Sequence, residues 1–472
     1  MSLISIIILS SIALLTGMIS HSSWRKYLIM GLSVFALYAL QPSLPIRYLG
    51  FWLPTTTLAI TIVSWILTGQ KDNRKWSDSW IAVIIMAGVI FVIGISRYSG
   101  TFSYIIPSLP PQIFQIIIAI FVIIIAAAFA IKLPWSASSY WLFFLVGVFV
   151  LIKTPFFANS LSLGLRNLNQ QSTELASSLD IRWLGFSYIA FRIIHTIRDR
   201  QTGRMPVVGL AEYINYVIFF PTLTAGPIDR LDHFVKTFNS PLMDRLEIMG
   251  EGGKRIALGL FKKFVVADIL AIIALNSTNA LQIRWTGWMW VSLYAYALQI
   301  FFDFSGYTDI AIGMGRLLGM KLPENFSSPY LKPNLTQFWN NWHMTLTQWF
   351  RAYFFNPLTR SLRSGKRVWS MPMIILVTQL STMVLIGLWH GVTLNFVLWG
   401  AWHGLGLFVH NRWSSTFNVR IQNWATDSIK KFLVNGMGIL LTFNFVAIGW
   451  VFFVLPSPAL SWHVIQKLFG GV

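Results

Sequence analysis

Two histidines in apolar surroundings carry the chemistry open to this chain. Trp389-His390-Gly391 sets an imidazole inside an otherwise apolar run from Met371 to Trp402. The segment Phe338-Trp339-Asn340-Asn341-Trp342-His343-Met344-Thr345-Leu346 sets a second one 47 positions earlier. An ionisable side chain at membrane depth is costly and usually functional. A neutral imidazole there can take the proton of an attacking hydroxyl. A lone histidine is more often a hydrogen-bonded core residue, so it is the pair that points to chemistry.

The triplet itself does not choose its histidine. Trp402-His403-Gly404 repeats it, and thirteen residues at 100° each put His390 and His403 on different helical faces. His390 stands where the apolar run meets Gly391, Thr393 and Asn395, which places it either at depth or near an interface. The other histidines, His21, His195, His233, His410 and His463, sit in or beside polar or terminal segments, and none is assigned a role. His195, next to Arg198, Asp199 and Arg200, reads as a headgroup-level or cytoplasmic residue.

Several other chemistries lack their residues. The chain has no cysteine, which removes disulfides, thiolate metal sites and acyl-cysteine intermediates. No H-x-x-x-H or H-E-x-x-H spacing offers two metal ligands on one helical face, and no bound cofactor is expected. Neither Gly31-Leu32-Ser33 nor Gly185-Phe186-Ser187 completes a serine elbow, and no histidine has an aspartate five residues later. Gly313-Met314-Gly315-Arg316-Leu317-Leu318-Gly319 has the look of a phosphate loop but no α/β context, so close helix packing explains it better.

The elements that must position these histidines are membrane helices. Of 472 residues 55% are hydrophobic and 11% charged, with a mean hydropathy of +0.62, far from the composition of soluble domains. Apolar runs recur at 3–19, 27–41, 50–68, 79–95, 113–132, 140–153, 207–223, 257–276, 286–304, 372–389, 392–410 and 432–455. They predict an all-α, polytopic membrane protein with roughly ten to twelve crossings and shorter re-entrant or interfacial helices. The first run lacks a basic lead and a small-residue cleavage site, so it is expected to be retained, with the chain starting near Met1.

The formal charge of +20 is explained by basic loops on the cytoplasmic face rather than by nucleic acid. Those loops are Arg25-Lys26, Lys71 to Lys75, Arg198 to Arg204, Arg360 to Arg367 and Lys430-Lys431. Residues 1–472 read as a single membrane domain, with 1–153 as helical scaffold and 183–455 as the core. In that second half Arg192, His195, Asp268, Asp303, Asp309, Arg316, His343 and Asn395 enter the apolar pattern, and buried polar groups need partners or water. Pro221 to Arg230 carries two prolines and a glycine, a helix break that fits either an interface turn or a site beside protein and water. From Asn334 to Tyr353 an aromatic stripe at i, i+3, i+4 spacing predicts one amphipathic helix. His343 falls on its apolar face, where desolvation favours the neutral imidazole.

Phe302-Asp303-Phe304-Ser305-Gly306-Tyr307-Thr308-Asp309-Ile310-Ala311-Ile312-Gly313, Pro323-Glu324-Asn325-Phe326, the Trp342-His343 segment and Gly387-Leu388-Trp389-His390-Gly391 together resemble the bacterial membrane-bound O-acyltransferase family. The resemblance covers Trp183 to Val454. It implies a ring of helices around a thinned centre, with a funnel and tunnel meeting at two histidines. It also implies His390 as general base, His343 as a second catalytic or orienting group, and Trp339, Asn341, Trp342, Trp389, Asn395, Ser305, Tyr307 and Asp309 as substrate-binding residues. Ala352 departs from the pattern, since relatives commonly have an acidic residue after the arginine equivalent to Arg351.

The implied reaction moves a short acyl group, foremost acetyl, from a cytoplasmic thioester (acyl-CoA or acyl carrier protein) to hydroxyls of an exported polysaccharide or envelope glycan. The implied setting is the plasma (inner) membrane. Expected partners are the acyl donor, the glycan acceptor or an extracytoplasmic acyltransferase partner, and the bilayer. Gly226-Pro227-Ile228-Asp229-Arg230 leans instead towards the D-alanyl branch acting on teichoic acids. A glycan or lipid transporter using Asp268, Asp303, Asp309 and Arg316, or an inert export scaffold, are the readings from other classes.

Overall fold

A computed structural model describes residues 3–19, 24–69, 79–98, 106–134, 136–240, 245–365, 368–424 and 427–471. His21, the Lys71 to Lys75 cluster, Lys366 and Arg367 lie outside them. Each apolar run falls on helix, and the described residues contain no strand. The protein is an all-α, polytopic membrane protein.

Five of the described helices are long and apolar enough to cross a membrane alone: Leu49–Thr68, Ser79–Tyr98, Ile113–Lys132, Met371–His390 and Ser428–Val454. A sixth span arises if Ala137–Lys153 and Pro155–Leu168, bent by 89°, count as one. This is fewer than the ten to twelve crossings expected from hydropathy. The run at 207–223 is a nine-residue helix, Leu210–Ile218, followed by a 3₁₀ turn. That at 257–276 passes through a π-helical turn, Lys262–Ala267. Thr286–Leu317 and Leu394–Trp424 are long enough but carry charges and amides along their length.

The chain forms two compact units, one of Met1–Ile256 with Ile310–Pro323, the other of Ala257–Asp309 with Glu324–Val472. In the first, Leu49–Thr68 holds hydroxyls that bond back to the preceding turn: Thr57 to Leu53, Thr61 to Thr57, Ser64 to Ile60 and Thr68 to Ser64, all at 2.6–3.0 Å. Back-bonding lets an apolar helix carry these groups without leaving them unpaired. The same oxygens receive neighbouring side chains, Trp183 Nε1 on Thr57 and Trp141 Nε1 on Ser64, both at 2.8 Å.

The break at Pro221 to Arg230 is packed inside protein. Pro221, Leu223, Ile228 and Asp229 are all buried, and Arg192, only 2% exposed, donates to the carbonyls of Val217 (2.8 Å) and Thr222 (2.9 Å). A guanidinium thus satisfies backbone groups that the helix break releases.

His195, read from sequence as a headgroup-level or cytoplasmic residue, is only 1% exposed and is held inside the protein. Its Nε2 lies 2.8 Å from Asp199 and its Nδ1 2.9 Å from the Tyr216 hydroxyl, which donates to the Asp229 carbonyl. The aspartate one helical turn later supplies the partner that makes burial tolerable. Gly252 and Gly313 serve close packing, as expected for the glycine-rich segment: a Cβ on Gly313 would meet the Gly252 carbonyl oxygen at 2.8 Å.

In the second unit the π-turn places consecutive lysines on two carboxylates. Lys262 pairs with Asp309 at 2.7 Å, and Lys263 pairs with Asp303. Gly306 lets the segment approach, since a Cβ there would lie 2.8 Å from the Gly259 carbonyl oxygen. The core of this unit also includes Met289, Leu293, Ala447 and Val451, all fully buried.

Candidate active site

Helix Met371–His390 ends at His390 because Gly391 turns extended (φ −177°, ψ 145°), and the chain reverses through Val392 and Thr393 into Leu394–Trp424. The two helices touch backbone to backbone. A Cβ on Gly387 would lie 2.1 Å from the Phe396 carbonyl oxygen, one on Gly400 2.5 Å from that of Met383, and one on Gly404 2.8 Å from the Leu380 Cα. Small residues at such crossings allow the closest helix packing in a membrane. We therefore expect Gly387→Ala to cost roughly 1–3 kcal/mol by overpacking; thermal unfolding in detergent would detect the loss.

This hairpin separates the two repeated triplets. The His390 ring is half-buried and packs against Trp389 (4.6 Å between centroids), Phe453 (4.8 Å), Trp399 (5.6 Å) and Phe396 (6.0 Å). His403 is fully buried against Trp339 (5.0 Å) and Trp399 (5.1 Å), with Gly449 leaving room for its Nε2. Neither nitrogen of His403 has a hydrogen-bond partner among the described residues, nor does Nε1 of Trp339 or of Trp399. Of the two, His390 is the more exposed.

His343 has the apolar surroundings expected, but it does not lie within one continuous helix. The stripe from Asn334 to Tyr353 is two short helices, Leu335–Asn341 and Met344–Phe350, and then a π-turn. His343 stands at the break in the left-handed region (φ 44°, ψ 53°), a conformation that is uncommon for non-glycine residues and often found at functional sites. Asn325 holds the break together. Its carbonyl accepts from the Met344 N–H (2.9 Å), and its Oδ1 accepts from the Thr345 N–H (3.3 Å) and hydroxyl (2.6 Å). The result buries His343 to 3% exposure against Phe304 (4.7 Å) and Trp389 (6.2 Å). Helical periodicity missed this because the stripe continues in register across the break, and only the distant Pro323-Glu324-Asn325-Phe326 segment reveals it.

His343, Trp389 and His390 thus come together, with one indole touching both imidazoles. Trp339 joins through Trp399, at 5.7 Å. Trp342 forms a wall with Phe326 (5.2 Å) and Trp450 (5.2 Å) rather than touching either catalytic candidate. Asn341 donates within its own helix to the Gln337 carbonyl, and Asn395 ties its helix to the Leu455 carbonyl (2.6 Å) and Ser461 (3.1 Å). Ser305 and Tyr307 are buried next to Phe304 in sequence, and Asp309 is held by Lys262. Arg351, followed here by Ala352, uses Asn340 as its partner at 2.6 Å. Trp399 and Phe453 pack on His390 but were not singled out from sequence, whereas Phe304 and Asn325 stood there only within the family-like segments; Trp399 lies nine positions beyond His390 in the same aromatic-rich stretch. The described residues hold no cluster of three or more possible metal ligands.

Aromatic rings surround both imidazoles, His343 at a break between two short helices and His390 at the end of a membrane-length one. Residues 128–454 match the model of the membrane-bound O-acyltransferase family, and the chain belongs to that family. It is 33% identical over 290 residues to a probable alginate O-acetylase, AlgI, of Pseudomonas syringae, an alignment covering 61% of this chain and 51% of that protein. It is 31% identical over 283 residues to a teichoic acid D-alanyltransferase of Streptococcus thermophilus, covering 58% and 68%. With a peptidoglycan O-acetyltransferase of Helicobacter pylori it shares 34% identity over 288 residues, covering 58% and 51%. The chain spans about half the length of the alginate acetylase and the peptidoglycan acetyltransferase.

Proposed function

We propose that the protein transfers an acetyl group from a cytoplasmic thioester to a hydroxyl of an extracytoplasmic glycan, with His390 as general base. The observation that carries this reading is the placement of His390: half-buried at the end of a membrane-length helix, on the same indole as His343. His390 takes the proton of the acceptor hydroxyl while its oxygen attacks the thioester carbonyl carbon. The C–S bond breaks, and the imidazolium returns the proton to the leaving thiolate. His343 orients a substrate or donates to the developing oxyanion, a role typically worth 10²–10³-fold in rate. No metal or cofactor is required by this chemistry.

Acetyl is favoured over D-alanyl because alginate and peptidoglycan acetylases match at 32–34% identity and the D-alanyltransferases at 28–31%. The donor is acyl-CoA or an acyl carrier protein. The acceptor is a polysaccharide reached directly or through an extracytoplasmic acyltransferase partner, and the setting is the plasma (inner) membrane. Transport is disfavoured because Asp303 and Asp309 are held in lysine pairs and Arg316 faces Glu251 at 3.7 Å. Mass spectrometry of envelope glycans from cells with and without the gene tests the proposal. Base-labile acetyl esters should disappear on deletion, and an unchanged ester content would refute it.

A further inference from the structure

We infer that the first unit contains a binding groove for one acyl chain of an anionic phospholipid, one that shares no residue with the candidate acyl-transfer site and does not rest on that reading. Helices Arg25–Ala39 and Ser79–Ile95 enclose an apolar cavity of about 700 Å³. Its walls are two matched stripes, Leu28, Leu32 and Phe35 on one helix and Ile85, Val89 and Val92 on the other, each at i, i+4, i+7. Such spacing makes a straight channel along the pair, and from Arg25 to Phe35 it spans about 15 Å.

Two features identify the occupant. The Ser79–Tyr98 segment is apolar enough to span the membrane while only 33% of it is buried by protein, so the groove opens towards lipid. At one end stands Arg25, whose guanidinium donates to the carbonyls of Phe238 (3.0 Å) and Leu318. Carbonyls orient a guanidinium without cancelling its charge, and among the described residues Arg25 has no carboxylate in ion-pair range. Lys26 follows immediately. A cationic end on an apolar channel at the bilayer surface complements a phosphodiester with an attached hydrocarbon chain.

Gly88 provides the test. A Cβ there meets nothing within 4 Å, so a larger side chain enters the groove without displacing protein atoms. The full-length chain would be purified in detergent with equal phosphatidylglycerol and phosphatidylcholine, and co-eluting lipid quantified by mass spectrometry. Wild type should retain phosphatidylglycerol roughly fivefold over phosphatidylcholine. Gly88→Phe should lower retained phosphatidylglycerol about fivefold, whereas Arg25→Gln should remove the headgroup preference. Inorganic phosphate should not compete. Equal retention of the two lipids, retention unchanged in Gly88→Phe, or displacement by phosphate alone would each overturn the inference. If Arg25→Gln fails to fold, the Gly88 variant still decides.

Discussion

Replacing His390 by alanine should lower acyl transfer by roughly 10²–10⁴-fold, the usual contribution of a general base, while the protein still inserts and purifies. The expectation of normal folding rests on burial. His390 is half-buried at a helix end, so its loss leaves no sealed cavity. Its ring contacts with Phe453 and Phe396 are shared by the two phenyl rings themselves, 5.2 Å apart. The informative control is His403→Phe, which alters the other triplet but leaves His390 in place. It should retain far more activity than His390→Ala, and rates measured side by side on purified variants would decide. Full activity in His390→Ala would end the assignment.

Asn325→Leu should disable the site without touching either substrate. The side chain is fully buried, and its Oδ1 serves both the Thr345 N–H and the Thr345 hydroxyl. Leucine keeps the branching at Cγ but is bulkier and removes the one acceptor oxygen with both bonds it receives, at roughly 2–4 kcal/mol if each lost bond costs 1–2. The damage falls on the turn that holds His343 left-handed, so activity should drop at least about tenfold through misplacement of the imidazole. Circular dichroism should show helix content kept, and the unfolding temperature should fall. Wild-type activity and melting together would show that Asn325 is not the clamp.

The histidine-bearing motifs, the helices and the apolar character were legible in the chain because each depends on local pattern. The helix end at His390 was readable too, since Gly391 and Thr393 interrupt the run. What escaped reading depends on residues distant in sequence. Helical spacing continues smoothly through Trp342 and His343, yet the helix breaks there, where the Asn325 carbonyl and Oδ1 accept from Met344 and Thr345. The burial of His195 beside three charges was not readable either, since it depends on its bonds to Asp199 and Tyr216. Periodicity could not tell His390 from His403, because their difference in burial arises from how the two helices of the hairpin pack.

Proteoliposomes decide the central claim most directly. With an acetyl thioester labelled in its acyl group supplied on one side and a glycan acceptor on the other, wild type should release free thiol and place the label on the acceptor, and His390→Ala should do neither. Movement of acceptor or lipid across the bilayer with the thioester left intact would contradict the account.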